Sequence, residues 1–444
     1  MKFIRSIYIN LKFYIFLIGI AIAYIAGYFV SPFIVAAHLF LIVFVLITLV
    51  DVISLYTPLN LKISARRHTP KRFSNGDENK IILEIQNTMP RSFLLNIIDE
   101  LPDQFQERNF SIKTKIQSSE IKNFSYNLRP VKRGEYHFGF INIYVKCKIG
   151  FISRRIKEDC KIMVPTYPSF IQMKHYEIMA HSHRLSEIGV KRIRRRGHLK
   201  EFEQIREYIK GDDYRTINWK ASARKTELMV NEYQDEKSQN IYSIIDMGRT
   251  MKSPFNGMTL LDYSINASLI LANISLIKDD KAGLICFSQK IDVHLPAQKK
   301  KTGLQLIMEA LYNLSTTFRE SDYERLYAEI RRNIKQRSLL FLYTNFEGFV
   351  SLKRQLPYFR KIANHHRLVV VFFDNPEIRN ISQNKSESIE DIYTTAIAEK
   401  YLYEKRLISR ELDKYGIFSV LTDSEMLNIN TINKYLEIKG QGRI

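Results

Sequence analysis

The run IYSIID, residues 241–246, is short, apolar and uncharged until it ends in Asp246. Three more runs share its character: AGLICFS (282–288), SLLFLYT (338–344) and RLVVVFFD (367–374). A fifth, FSVLTD (418–423), follows. Each reads as a strand buried on both faces, the pattern of parallel sheets. Helix-like segments separate them, notably TLLDYSINASLILANISLI (259–277), TGLQLIMEALYNL (302–314) and TAIAEKYLYEKRLISRELDKYG (395–416). Strands alternating with helices imply a doubly wound α/β sheet with right-handed crossovers. Ligands bind beyond the carboxyl ends of strands in such sheets. That rule puts Asp246, Thr344 and Asn345 on the functional edge.

Upstream lies GHLKEFEQIREYIKGDDYRTINWKASARKTELMVNEYQDE (197–236), with the chain's one tryptophan, Trp219. So much charge excludes a buried strand. Phe202, Tyr208, Ile217, Trp219, Leu228 and Val230 still give it apolar surface to pack. It reads as an ordered connector that docks on something. Trp219 and Ile217 are expected to pack inward. Trp219, Arg215, Arg224 and Tyr233 have the residue types of interface anchors, and Arg206 and Tyr208 belong to the same candidate docking stretch. Asp212 and Asp213 are read as turn residues paired with Arg206 and Arg215, and Ser222 lies between Trp219 and Arg224.

The spacing in this stretch resembles the domain-of-unknown-function-58 family. The residues that carry the resemblance are Gly197, Glu201, Phe202, Arg206, Tyr208, Gly211, Asp212, Arg215, Ile217, Trp219, Ser222, Ala223, Arg224, Leu228, Val230, Glu232 and Tyr233. The resemblance implies a C-terminal von Willebrand factor A-like domain. It also implies a β-rich segment before it and a MoxR-type AAA+ ATPase as partner in the assembly or maturation of other proteins. Such a domain holds a divalent ion through an Asp-x-Ser-x-Ser loop, a distant Thr and a second Asp. Here the loop reads Asp246-Met247-Gly248-Arg249-Thr250, so the middle hydroxyl is missing and a fixed positive charge stands beside the gap. The second Asp falls at Asn345, after Thr344, and the distant hydroxyl at Thr316 or Thr317. Hard cations depend on the charge and number of their oxygen ligands. Asp246, Thr250, Thr344 and Asn345 therefore form a degenerate metal site that would hold Mg²⁺ weakly, and no cofactor is expected.

Toward the N-terminus, residues 13–30 and 33–50 carry no charge. Each is about one bilayer span, which takes ~20 apolar residues. A cleaved signal peptide fits poorly, because a second apolar span follows at once. The expected unit is a transmembrane hairpin within residues 1–56, with spans of about 13–30 and 33–55. Lys2, Arg5 and Lys12 precede it, and Lys62, Arg66, Arg67, Lys71 and Arg72 follow. By the positive-inside rule both ends lie in the cytoplasm, and the resemblance implies a bacterial inner membrane. From residue 57 to 167, alternating runs such as KIILEIQ (80–86) and EYHFGFINIYVKC (135–147) predict an antiparallel β-sandwich. Residues 168–238 read as a basic connector plus the stretch above, and 239–444 as the α/β domain.

The chain of 444 residues has 67 Lys plus Arg against 46 Asp plus Glu, a formal net charge of +21. That excess suits an anionic lipid surface, nucleic acid or an acidic partner. The basic run KRIRRR (191–196) comes without a nucleic-acid recognition motif. Three scattered cysteines, Cys147, Cys160 and Cys286, fit a reducing compartment. There is no P-loop, no His-Glu-x-x-His and no Gly-x-Ser-x-Gly elbow. His181 with His183, and His365 with His366, lack acidic or cysteine partners at ligand spacing. The expected function is a non-enzymatic, membrane-anchored interaction or scaffold protein. A lipid or nucleic-acid binder, and a hydrolase, are the alternatives.

The charge flanks make a direct prediction. A reporter active only outside the cytoplasm, fused after residue 165 or residue 444, should be silent at both points. Strong activity at either point would reverse the orientation.

Overall fold

The computed structural model describes residues 6–29, 32–57, 62–181, 201–209, 212, 214–225, 227–234, 238–316, 319–383 and 388–441. The chain divides into two compact units, Met1–Thr166 and Tyr167–Ile444.

In the first unit, helices α1 (Leu11–Phe29) and α2 (Pro32–Tyr56) are long and apolar enough to cross a membrane. Their side chains are mostly exposed, as lipid-facing helices require. The lower end of α2 is fastened to the β-structure. The Asp51 carboxylate accepts from the backbone N–H groups of Phe151 and Ile152, both at 3.0 Å. Strands follow in three antiparallel sheets. One has the order Ile7–Ile9, Ile152–Glu158, Ile141–Lys146, Phe93–Asp99, Ile112–Ile116. A second joins Ile63–His68, Asn79–Asn87 and Ile121–Leu128, and a third joins Phe73–Ser74, Ile162–Tyr167 and Gly134–Phe138. Alternate residues Leu83 and Ile85 of the second sheet meet Leu95, Ile97, Ile141 and Ile143 of the first in one buried cluster. Two sheets sharing a core in this way match the expected sandwich architecture.

Within that core, Arg67 forms a buried ion pair with Asp99. The Arg67 guanidinium also donates to the carbonyl oxygen of Cys160 at 2.7 Å, and the Tyr126 hydroxyl donates to Asp99 at 2.6 Å. The three groups satisfy one another, which a buried charge requires.

The second unit carries a six-stranded sheet. Its strands are β1 (Asn240–Asp246), β2 (Lys281–Phe287), β3 (Ile291–Gln298), β4 (Leu339–Tyr343), β5 (Arg367–Phe373) and β6 (Phe418–Thr422). The order is β3-β2-β1-β4-β5-β6, and only β3 runs antiparallel to its neighbour. All five predicted strands are present; β3 is additional. It alternates partly buried with exposed residues and contains Pro296, which an edge strand tolerates. Helix α4 (Leu260–Ile277) is apolar enough to pass as a membrane span, but 83% of it is buried against this sheet. Its start is set by a capping box, with the Thr259 hydroxyl accepting from the Asp262 N–H at 3.2 Å and the Asp262 carboxylate accepting in return.

Helix α3 (Phe170–His181) lies where the sequence reads as a polar connector. It packs on α4: Met173, Tyr176 and Ala180 enter the same core, three and four residues apart. The basic run 191–196, Gly197, His183, Gly211, Asp213 and Thr317 lie outside the described residues, as do the side chains of Arg215 and Tyr233. Further helices cover the sheet: α5 (Lys301–Tyr312), α6 (Tyr323–Asn333), α7 (Phe349–Ala363), α8 (Pro376–Gln383), α9 (Ile389–Lys414) and α10 (Leu427–Gly440).

Removing Asp99 would leave the Arg67 guanidinium buried and uncompensated, at a cost of about 3–5 kcal/mol. In the full chain reconstituted in lipid, Asp99→Ala should speed amide exchange in Ile63–His68 and Phe93–Asp99 about a hundredfold or more. Exchange at the parent rate would show that the pair contributes nothing net.

Candidate functional site

At the carboxyl ends of β1 and β4, loops enclose a cavity of 340 Å³ lined by Asp246, Arg249, Thr250, Ser321, Asn345 and Glu347, among others. Asp246 ends the central strand and is 2% exposed. A buried carboxylate needs donors for both oxygens, and this one has them. Oδ1 accepts from the Gly248 N–H at 2.8 Å and from the Ser321 hydroxyl. Oδ2 lies 2.8 Å from the Tyr323 hydroxyl and 2.6 Å from that of Thr344, and those two hydroxyls are 2.7 Å apart. Two protons are thus shared among three oxygens. Burial first, and then the Asp246 charge, pushes the Tyr323 phenol well above its ordinary range, so it remains a donor.

Asp246 and Thr344 are brought together as the sequence predicts, whereas Asn345 turns away. Its Oδ1 accepts from the Lys405 ammonium at 2.7 Å, and Lys405 also donates to the Phe346 carbonyl at 2.6 Å. Thr250 lines the cavity but is not bonded to Asp246. The distant hydroxyl comes from Ser321, not Thr316. A side chain at Gly248 would collide with Ser321 and come 3.0 Å from Asp246 Oδ1. The hydroxyl missing from the first loop is therefore replaced from the loop before α6. Ser321, Tyr323 and Lys405 are the site residues that sequence reasoning missed, since each meets its partner across 60 or more residues of chain.

This donor set does not fit a divalent ion. Of the four predicted ligands only Asp246 is a carboxylate, its two oxygens already accept from four donors, and Asn345 Oδ1 accepts from Lys405. Among the described residues, no three His, Cys, Asp or Glu side chains gather in a metal-holding group. The rim is a lattice of exposed charges instead: Arg249 pairs with Glu347 at 3.0 Å and approaches Glu320 at 4.0 Å. Chemically, the arrangement locks the ends of β1 and β4 to the loop before α6. Among the described residues, no histidine lines the cavity.

The conspicuous stretch before β1 forms an antiparallel hairpin, Glu201–Glu207 with Met229–Gln234, closed by a helical turn at Trp219–Lys225. Arg206 and Asp212 form the expected pair, a bidentate one at 2.8 and 2.7 Å. Hydrogen bonding from Arg206, then from the Ile209 N–H, holds the Asp212 carboxyl below its ordinary range. Ser222 is structural: its hydroxyl donates to the Asn218 carbonyl at 2.9 Å and accepts from the Met229 N–H at 2.8 Å. Tyr208 is half-buried and joins the strands through its N–H to the Leu228 carbonyl at 2.8 Å. Arg224 is exposed. Ile217 is half-buried and bridges to Val230.

Trp219 corrects the expectation of inward packing, because it is 70% exposed. Its position explains this. Asn218 caps the turn, its Oδ1 accepting from the Ala221 N–H at 3.0 Å, and Trp219 is the first residue beyond the cap. The face of the turn held to the hairpin is supplied by Ser222 instead.

Lys405 is 1% exposed with no carboxylate in ion-pair range among the described residues, and burial lowers its ammonium to about 7, only partly offset by Asp374. The unfolded chain keeps that proton up to the ordinary value of 10.5. Between those values unfolding takes up a proton, so stability rises with pH, by up to about 1.4 kcal/mol per unit. The stability of the parent relative to Lys405→Met should therefore climb from pH 7 to pH 9. A flat difference would mean that Lys405 titrates normally.

Residues 204–391 match the family described as "Protein of unknown function DUF58". The chain is 24% identical over 226 residues to the "Uncharacterized protein YeaD" of Bacillus subtilis (strain 168), covering 50% of this chain. The match spans 55% of that relative's length. Among solved structures, the conserved hypothetical protein BatB from Bacteroides thetaiotaomicron aligns at 12% identity with a TM-score of 0.31, covering 46% of this chain and 100% of that one. The CARDB domain of the PF1109 protein from Pyrococcus furiosus aligns at 10% identity with a TM-score of 0.18, covering 24% and 88%. The similarity to DUF58 proteins thus rests on residues 204–391 and on about half the length of one curated relative.

Proposed function

We propose that this chain is a membrane-anchored, non-catalytic interaction protein. In this reading the hairpin at 201–234, carried by an α/β unit of the von Willebrand A type, is its docking surface. One observation carries the reading. Ile205, Ile209, Tyr214, Trp219 and Leu228 are 40, 65, 69, 70 and 47% exposed, all on a single small hairpin. Tryptophan and tyrosine are the types that dominate interface hot spots, and a solvated tryptophan contributes little to its own fold. The partner implied by the resemblance is a MoxR-type AAA+ ATPase, which sets the docking surface on the cytoplasmic side of the inner membrane. The filled lone pairs of Asp246 accord with a site that holds structure and does no chemistry.

The test is affinity of the full-length chain, in lipid, for the purified MoxR-type ATPase of the same organism. Trp219→Ala should weaken capture by a cost of ~2 kcal/mol or more, roughly thirtyfold, with the thermal midpoint unchanged. Undiminished capture would move the docking surface elsewhere, and loss of folding would make Trp219 structural.

A further inference from the structure

The opposite edge of the α/β sheet carries a second cavity, of 400 Å³, before the starts of β4 and β5. Four cations line it: Arg331 and Lys335 from the end of α6, Arg337 before β4, and Lys361 from the end of α7. Among the described residues no acidic side chain lines this cavity, and none of the four cations is in an ion pair. Arg331 is placed 3.2 Å from the Nε2 of His365, and Lys361 lies over the Tyr327 ring at 5.5 Å. The floor is apolar, made by Ile330, Ile334 and Ile362.

Basic residues at helix C-termini ordinarily offset the helix dipole. Helices α6 and α7 both end here, but each end amounts to only about half a negative charge. Four whole cations exceed that need roughly threefold or more. His366 lines the cavity, is 5% exposed, and its Nδ1 has no hydrogen-bond partner among the described residues. A buried polar atom left in that state is costly unless something else satisfies it. Burial, and then the neighbouring His365 and Arg337, push His366 down to about 4, so it is neutral near pH 7 and adds no further charge to the four cations.

We propose that this cavity binds a phosphate-bearing anion of small-molecule size. Its volume is within the ~300–1,000 Å³ of small-ligand sites. Guanidinium forks from Arg331 and Arg337 match phosphate oxygens, and Lys335 and Lys361 supply point charges beside them. Tyr327 walls the less polar part of the ligand.

The test uses the full-length chain in nanodiscs of zwitterionic lipid. Calorimetric titrations use two probes, inorganic pyrophosphate and soluble dihexanoyl phosphatidylglycerol. The parent should bind at least one of them saturably at one site per chain, and the tighter of the two tells a free phosphate compound from a lipid headgroup. Lys335→Glu with Arg337→Glu should raise Kd by about tenfold or more. Lys361→Gln should act in the same direction from the other wall, so that a fold defect in one variant does not decide the matter. Lys113→Glu with Lys115→Glu, an equal charge change on exposed residues of the first unit, should leave Kd unchanged. Absence of saturable binding, or equal weakening by the remote charge change, would overturn the proposal.

Discussion

The second unit depends on a single carboxylate. Asp246 ends the central strand of a parallel sheet, where its charge lies below the surface. Left alone it would cost several kcal/mol in desolvation. Three hydroxyls and one backbone N–H, from its own loop, from the loop before α6 and from the end of β4, remove that cost. Each of those loops is thereby held at a defined height above the sheet. A divalent ion performs the same service where carboxylates are plentiful, and here hydroxyl donors do it. The loss of one hydroxyl at Gly248 and its return as Ser321 make the same point, since the space that one vacates is the space the other fills.

Lys405 continues that logic one layer further out. A neutral amide at Asn345 cannot pair with a metal as a carboxylate would, but it can accept from an ammonium. The loop after β4 is tied to α9 through that contact and through the Phe346 carbonyl. Because no carboxylate compensates the ammonium, burial weakens its hold on its proton. The cation that organises this loop is therefore covalently part of the chain, and its charge depends on pH.

What the sequence disclosed follows from how strongly each segment is constrained. Strands β1, β2, β4, β5 and β6 are buried on one or both faces and read as apolar runs, so they were legible. Strand β3 was not, because three of its eight residues are exposed, none is fully buried, and Pro296 interrupts it. Helix α3 was hidden by its lysine and histidines, although Phe170, Met173, Tyr176 and Ala180 trace one face. The Arg206–Asp212 pair was legible, as opposite charges six residues apart across a turn have few other partners. The direction of Trp219 was not, since large aromatic surface argues for burial unless the cap at Asn218 is known to turn it outward. Ser321 and Lys405 were invisible for a simpler reason. Their contacts lie 75 and 60 residues away along the chain, and only the crossover topology brings them in.

That topology also separates charge. In a parallel sheet every strand end of one kind lies on one edge, so the two edges are chemically independent. The carboxyl edge holds Asp246, Glu320, Asp322, Glu324 and Glu347 against Arg249 and Arg354. The amino edge gathers Arg331, Lys335, Arg337 and Lys361 with no acid in the cavity. A formal charge of +21 spread evenly would give neither edge a distinct character. Helices α6 and α7 run between the two edges, and each carries carboxyl-edge lining at its start and amino-edge cations at its end. Substitutions confined to one edge therefore leave the other's field largely intact, because charges further apart than the ~8–10 Å screening length scarcely interact through water. The crossover helices thus let one fold keep a hydroxyl-locked acidic end and a cationic one.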